Sequence, residues 1–156
     1  MKFIALIVLL SSFALHAGTV QVAVTLSPAG DFKAVSSKAR GFIEKKGANY
    51  SAAGLTVEVG TMKTGLELRD KHFYERLGGA TAKIVIVKAV GTGGKGQGQI
   101  TVNKITKPFA FVFKETDGQV QAKFALKASD FGIKDVKYLG IGVEDKIIVS
   151  ATMPVR

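Results

Sequence analysis

From Val20 onward, apolar and polar positions alternate with period two through most of the chain, the pattern of strands with one buried face. Val20, Val22, Val24 and Leu26 share one face, and Thr19, Gln21 and Thr25 share the other. Ser27-Pro28-Ala29-Gly30 reads as a turn, and the mixed segment from Asp31 to Lys46 ends at a second turn, Lys45-Lys46-Gly47. Leu55, Val57 and Val59 alternate with Thr56 and Glu58. Further strands are predicted over Lys83–Val90, over Gln97–Asn103, around Phe109, Phe111 and Phe113, over Val120–Lys127, and over Lys146–Met153. Turns are predicted at Gly91–Gly96, Lys107-Pro108 and Asp117-Gly118, with a longer excursion from Ser129 to Gly142.

One stretch breaks the alternation. Thr64-Gly65-Leu66-Glu67 has capping-box spacing, in which the threonine accepts an amide three residues on and the glutamate reaches back. Leu66, Phe73 and Leu77 then recur at helical spacing before Gly78-Gly79. A helix over residues 65–77 is therefore expected among about eight strands. An open sheet of that size leaves two edges, and closure removes them. The expected fold is all-β with one inserted helix, an eight-stranded antiparallel lipocalin-like β-barrel, with a β-sandwich as the alternative. A barrel of that size is filled by side chains or holds one small ligand.

The first residues bear on compartment. Lys2, the apolar run Phe3–Leu10 and Leu15-His16-Ala17 before Gly18 have the layout of a cleavable signal peptide. The run is short for a membrane span, which needs about 20 apolar residues. Residues 1–17 are thus expected to be a leader and 18–156 one barrel domain. The expected location is the periplasm, or outside the cell. The chain has no cysteine, so one core of about 139 residues must stabilise it without disulfides. Its net charge of +10 suits anionic lipid headgroups or another anionic partner. Nucleic acid is not expected, because the charges are spread rather than clustered and Trp is absent.

Candidate chemistry is sparse. His72 is the only histidine after position 17, which leaves no Cys/His metal cluster and no nucleophile–histidine arrangement. No catalytic residue, metal or cofactor is expected. Glu144 and Asp145 are strand neighbours and face opposite sides. Gly91-Thr92-Gly93-Gly94-Lys95-Gly96 satisfies G-x-G-x-x-G, but strand rather than helix pattern follows, so it reads as a hairpin tip. Arg69-Asp70-Lys71-His72 is either a solvated helix face or, with Arg69 and His72 one turn apart, a polar group at a barrel mouth. The ladder Phe109, Phe111, Phe113, with Phe124 across the turn, is either packed core or the wall of an apolar tunnel.

Three stretches in order resemble the YceI-like family of exported lipid-binding proteins. They are Met62–His72, Gly98–Pro108, and Ala128–Ile133 followed by Gly142–Ile147, and order and spacing match over roughly residues 30 to 154. The first strand lacks the aspartate and histidine-serine pair usual in that family, and Phe73–Gly79 runs to Ala80 without its phenylalanine-aspartate-proline excursion. The resemblance implies an extended lipocalin-like barrel whose cavity holds an isoprenoid or quinone tail or a fatty chain. On that reading Phe109, Phe111, Phe113, Phe124, Leu126 and Val149 form the apolar wall, and Arg69 and His72 meet the headgroup. The alternative is a solid-core adaptor whose basic surface meets an anionic membrane or an acidic partner. Oligomerisation is left open, since a closed barrel offers only loops or the helix for it.

Overall fold

The computed structural model describes residues 18–27, 30–134, 136–138 and 141–156. The expected leader and the centre of the first turn, Pro28-Ala29, lie outside them. The alternating segments form strands β1 (Gly18–Ser27), β2 (Asp31–Ala39), β3 (Glu44–Lys46) and β4 (Asn49–Glu58). Helix α1 (Glu67–Arg76) follows, then β5 (Lys83–Thr92), β6 (Lys95–Val102), β7 (Ile105–Thr116), β8 (Gln119–Lys127), the two-residue β9 (Lys137–Tyr138) and the long β10 (Ile141–Pro154).

All of them belong to one antiparallel sheet in the order β2-β1-β10-β8-β7-β6-β5-β4-β3, with β9 beside β10. A single continuous sheet excludes the sandwich. The sheet curls until β2 approaches β4, and two bridges close that seam in place of a ladder. Arg40 and Thr56 exchange backbone hydrogen bonds of 2.7 and 3.0 Å, and Val35 and Lys63 exchange two of 2.9 Å. The fold is thus the expected lipocalin-like barrel, with nine strands on its main path rather than eight. The mixed Asp31–Lys46 segment supplies two strands instead of one, because positive-φ Gly41 breaks the extended run.

Two-residue turns join the hairpins from β5 to β8. Gly93-Gly94, Asn103-Lys104 and Asp117-Gly118 each have positive φ at both central positions, the left-handed geometry that matches strand twist. The turn expected at Lys107-Pro108 is at Asn103-Lys104 instead. Pro108 lies within β7 opposite Gln99, beyond the last register pair with β8, Val112–Lys123. A strand side with no partner tolerates a residue lacking its N–H. The helix spans two residues fewer at its start and one fewer at its end than expected, and the capping box is not formed. Leu66 stands at the N-cap with no side-chain cap, and Thr64 is committed to Asp70.

Candidate functional site

Inside the barrel, side chains form rows across neighbouring strands, and the composition of each row decides whether it fills or leaves space. Leu55, Ile86 and Ile100 make one row across β4, β5 and β6. Further along the axis, Ala52, Ala89 and Gly98 lead to Phe109 on β7. The next row runs Tyr50, Gly91, Gly96, Phe111. Small residues on β5 and β6 thus face the rings of β7. The fit is close: a Cβ on Gly96 would lie 2.2 Å from the Phe111 ring, and one on Gly98 2.9 Å from that of Phe109. Gly54, at φ +67, sits between inward Leu55 and inward Ala52, where the strand switches its inward face.

The rings form a column. Phe124 and Phe109 have centroids 4.6 Å apart, Phe109 and Phe111 5.5 Å, Phe111 and Phe113 5.8 Å, and Phe113 and Tyr50 5.0 Å. Beyond it, the Tyr50 hydroxyl donates to Glu115, which also accepts from Lys45 Nζ at 2.8 Å. The hydrogen bonds from Lys45 and Tyr50 hold the Glu115 carboxyl below its ordinary value. The ring-to-glycine contacts fill much of this half, where Phe109, Phe111 and Phe113 are half-buried, and a small pocket of about 30 Å³ lies beside Phe111 and Phe113.

The other half is open. A cavity of about 710 Å³ is walled by aliphatic side chains such as Val22, Val24, Ile86, Ile100 and Val149, with Phe124 where it meets the column. Its mouth lies under α1, which contributes Leu66, Leu68, Arg69, His72 and Phe73. Phe131 and Ile133, from the excursion before β10, and Ile141, at the start of β10, complete the mouth. Leu66 and Leu68 are 58 % and 55 % exposed, so the rim is partly apolar toward solvent.

Hydrogen bonds position this rim. The Thr64 N–H and hydroxyl both donate to Asp70 Oδ1, at 2.7 and 2.6 Å. Burial of Asp70 opposes its charge, but these two bonds, with the charges of Lys63 and Arg69, prevail and hold the carboxyl below its ordinary value. The Tyr74 hydroxyl donates to the carbonyl of Met62 at 2.7 Å, and the Met62 side chain is fully buried. On the far side, the Ser129 N–H and hydroxyl donate to Asp145 at 2.7 Å each, lowering that carboxyl too. Asn103 Nδ2 donates to the Phe131 carbonyl at 3.1 Å. Both jaws of the mouth are thus tied to the barrel.

The residues singled out from sequence divide between the two halves. Phe124, Leu126 and Val149 line the cavity. Phe109, Phe111 and Phe113 do not: they belong to the packed column, because their rings point into space left by Gly98, Gly96 and Gly91. The filled interior of the alternative reading therefore describes one half of the barrel only. Arg69 and His72 both line the mouth. The Arg69 guanidinium stacks 4.8 Å over Phe32 on β2, and its Nε is buried. Among the described residues, that Nε is the only buried side-chain nitrogen or oxygen with no hydrogen-bond partner. His72 is half-exposed, with Nδ1 3.8 Å from Glu75. The wall residues Ile86 and Ile100 were visible only as inward strand positions. Phe131 and Ile133 carried no signal of a wall, because their segment lacks alternation.

A curled antiparallel sheet around an apolar cavity, with a helix at its mouth, is a lipocalin-like barrel. The chain belongs to the YceI-like family: the YceI-like domain matches residues 11–154. Two solved structures share the fold. Burkholderia cenocepacia BcnA superposes with a TM-score of 0.64 at 13 % identity, over 86 % of this chain and 94 % of that one. A polyisoprenoid-binding domain from Saccharophagus degradans, implicated in plant cell wall breakdown, superposes with a TM-score of 0.60 at 7 % identity, over 89 % of this chain and 93 % of that one. No curated protein matches the sequence.

Proposed function

We propose that this protein is a non-catalytic periplasmic carrier that holds an isoprenoid, quinone or fatty chain in its barrel. The observation that carries the reading is the 710 Å³ cavity, walled by aliphatic side chains and opening beneath α1. Membership of the YceI-like family supports it, as does the likeness in fold to a polyisoprenoid-binding domain. Burial supplies the affinity. At about 0.8 kcal/mol per methylene, ten buried methylenes contribute about 8 kcal/mol before the cost of association. Specificity at the mouth comes from Arg69, whose unpartnered Nε suits an acceptor oxygen of a phosphate, carboxylate or quinone headgroup, with His72 beside it. Residues 1–17 direct export.

The test is to isolate the protein from the periplasm, extract it with organic solvent and analyse the extract by mass spectrometry. A stoichiometric isoprenoid or fatty species that survives a wash at high salt is the expected result. Retention at high salt separates a chain held inside from one attracted to surface charge, which salt screens. An empty extract, together with no uptake of added prenyl or fatty ligands by folded protein, overturns the reading. Intact mass of the exported protein, expected to begin near Gly18, tests the leader.

A further inference from the structure

The cavity stops part-way along the barrel, and what stops it is a built element. The ring column begins where Phe109 meets Phe124 at 4.6 Å and ends at Tyr50, whose hydroxyl is tied to Glu115. Each of three rings has a glycine facing it: Gly98 for Phe109, Gly96 for Phe111 and Gly91 for Phe113. Ala52 and Ala89 lie in the Phe109 row, and Ala122 pairs with Phe113. The rings are therefore held on several sides, and a ligand chain cannot displace them without opening the far end of the barrel.

We infer that this column is a floor that sets the length of the bound chain: Phe124 lines the cavity, and Phe109, packed 4.6 Å behind it, is the first ring beyond the cavity and the specificity-determining residue. The inference rests on the lipid-carrier reading. At roughly 30 Å³ for each water-sized group, the 710 Å³ cavity accommodates about 20 carbons. That corresponds to about four isoprene units or one long fatty chain. A longer polyprenyl chain is held only over its terminal units, and the remainder, with its headgroup, stands outside the mouth past Leu66 and Leu68. The ligand class is thus a mid-length apolar chain with an acceptor headgroup.

The experiment measures binding of prenyl monophosphates of rising length to the full mature protein, by displacement of a fluorescent fatty acid. For wild type, affinity tightens by about 10-fold or more per added isoprene unit up to about four units, then by less than about 3-fold. In Phe109→Ala the break moves outward by about one unit, since a phenyl ring has been removed from the floor. Phe109→Leu, which keeps more of the packing, moves it less and carries the test if the alanine variant does not fold. Wild-type affinity that keeps rising steeply past six units overturns the floor. So does an unchanged break in a folded Phe109 variant. Folded wild type that binds no prenyl or fatty ligand of any length refutes the carrier reading itself, a result distinct from either of those.

Discussion

Replacing Gly96 by alanine isolates the contact on which the closed half of the barrel depends. Gly96 does not have positive φ, so an alanine backbone fits there without strain, reduced freedom of the unfolded chain favours alanine, and any net loss is steric. Its Cβ would stand 2.2 and 2.6 Å from two ring carbons of Phe111 and 2.6 Å from the carbonyl oxygen of Val90. Carbon atoms in contact prefer about 3.5–4.0 Å. The Phe111 ring cannot simply retreat, because Phe109 and Phe113 stack on either side at 5.5 and 5.8 Å. The Val90 oxygen belongs to the strand backbone. Overpacking a formed core costs about 1–3 kcal/mol, and with two obstacles the upper part of that range applies. An expected loss of about 2–3 kcal/mol lowers Tm by roughly 6–12 °C in a domain of this size. Urea unfolding followed by circular dichroism measures it, with the slope unchanged if only stability has altered. The same substitution in a Phe111→Ala background meets no ring, and its cost falls by at least about 1 kcal/mol. A cost for Gly96→Ala below about 0.5 kcal/mol, or equal costs in the two backgrounds, would refute the packed column.

Other positions give sharp expectations. Lys104 holds φ +64 without being glycine, so Lys104→Gly is expected to stabilise the protein by about 1 kcal/mol; a lower Tm contradicts the turn assignment. Tyr74→Phe removes the 2.7 Å bond to the Met62 carbonyl and is expected to cost about 1–2 kcal/mol in urea unfolding. The Asp70 carboxyl is held below its ordinary value. Its contribution is therefore complete above about pH 4–5 and is lost as pH falls through the lowered folded value. Asp70→Asn is expected to reduce stability at neutral pH and to flatten the loss between about pH 5 and 3. An acid transition as steep as wild type assigns that loss to other carboxylates, such as Glu115 and Asp145, which are lowered too.

Much of the fold was legible because strand periodicity is a local property. A side chain at i and its neighbour at i+1 face opposite sides wherever the chain is extended, so Val20–Leu26 and Gln119–Lys127 declare themselves. Asp117-Gly118 and Gly93-Gly94 mark their turns because few residue pairs adopt left-handed φ twice in succession. At Lys107-Pro108 that reasoning misled: proline punctuates a sequence strongly, but a strand side with no partner removes the reason for it to break anything. The Thr64–Glu67 spacing misled similarly: the helix begins later, with Leu66 at its N-cap, and Thr64 stands outside it with its hydroxyl donating to Asp70.

By itself, the sequence determined that the chain is a run of antiparallel strands with one inserted helix, that Phe109, Phe111 and Phe113 share one strand face, and that Arg69 and His72 stand one helical turn apart; that the sheet curls into a barrel rather than splitting into a sandwich was settled by the structure. Only the tertiary structure decided that those rings close one half of the barrel while aliphatic side chains leave the other half open. Inwardness follows from alternation along one strand. Filling depends on which residues of other strands stand at the same level, and register across the sheet sets that. Gly96 lies opposite Phe111 and Gly98 opposite Phe109, whereas Ile86 lies opposite Ile100. A glycine facing a ring produces a floor, and two branched aliphatic side chains side by side produce a wall.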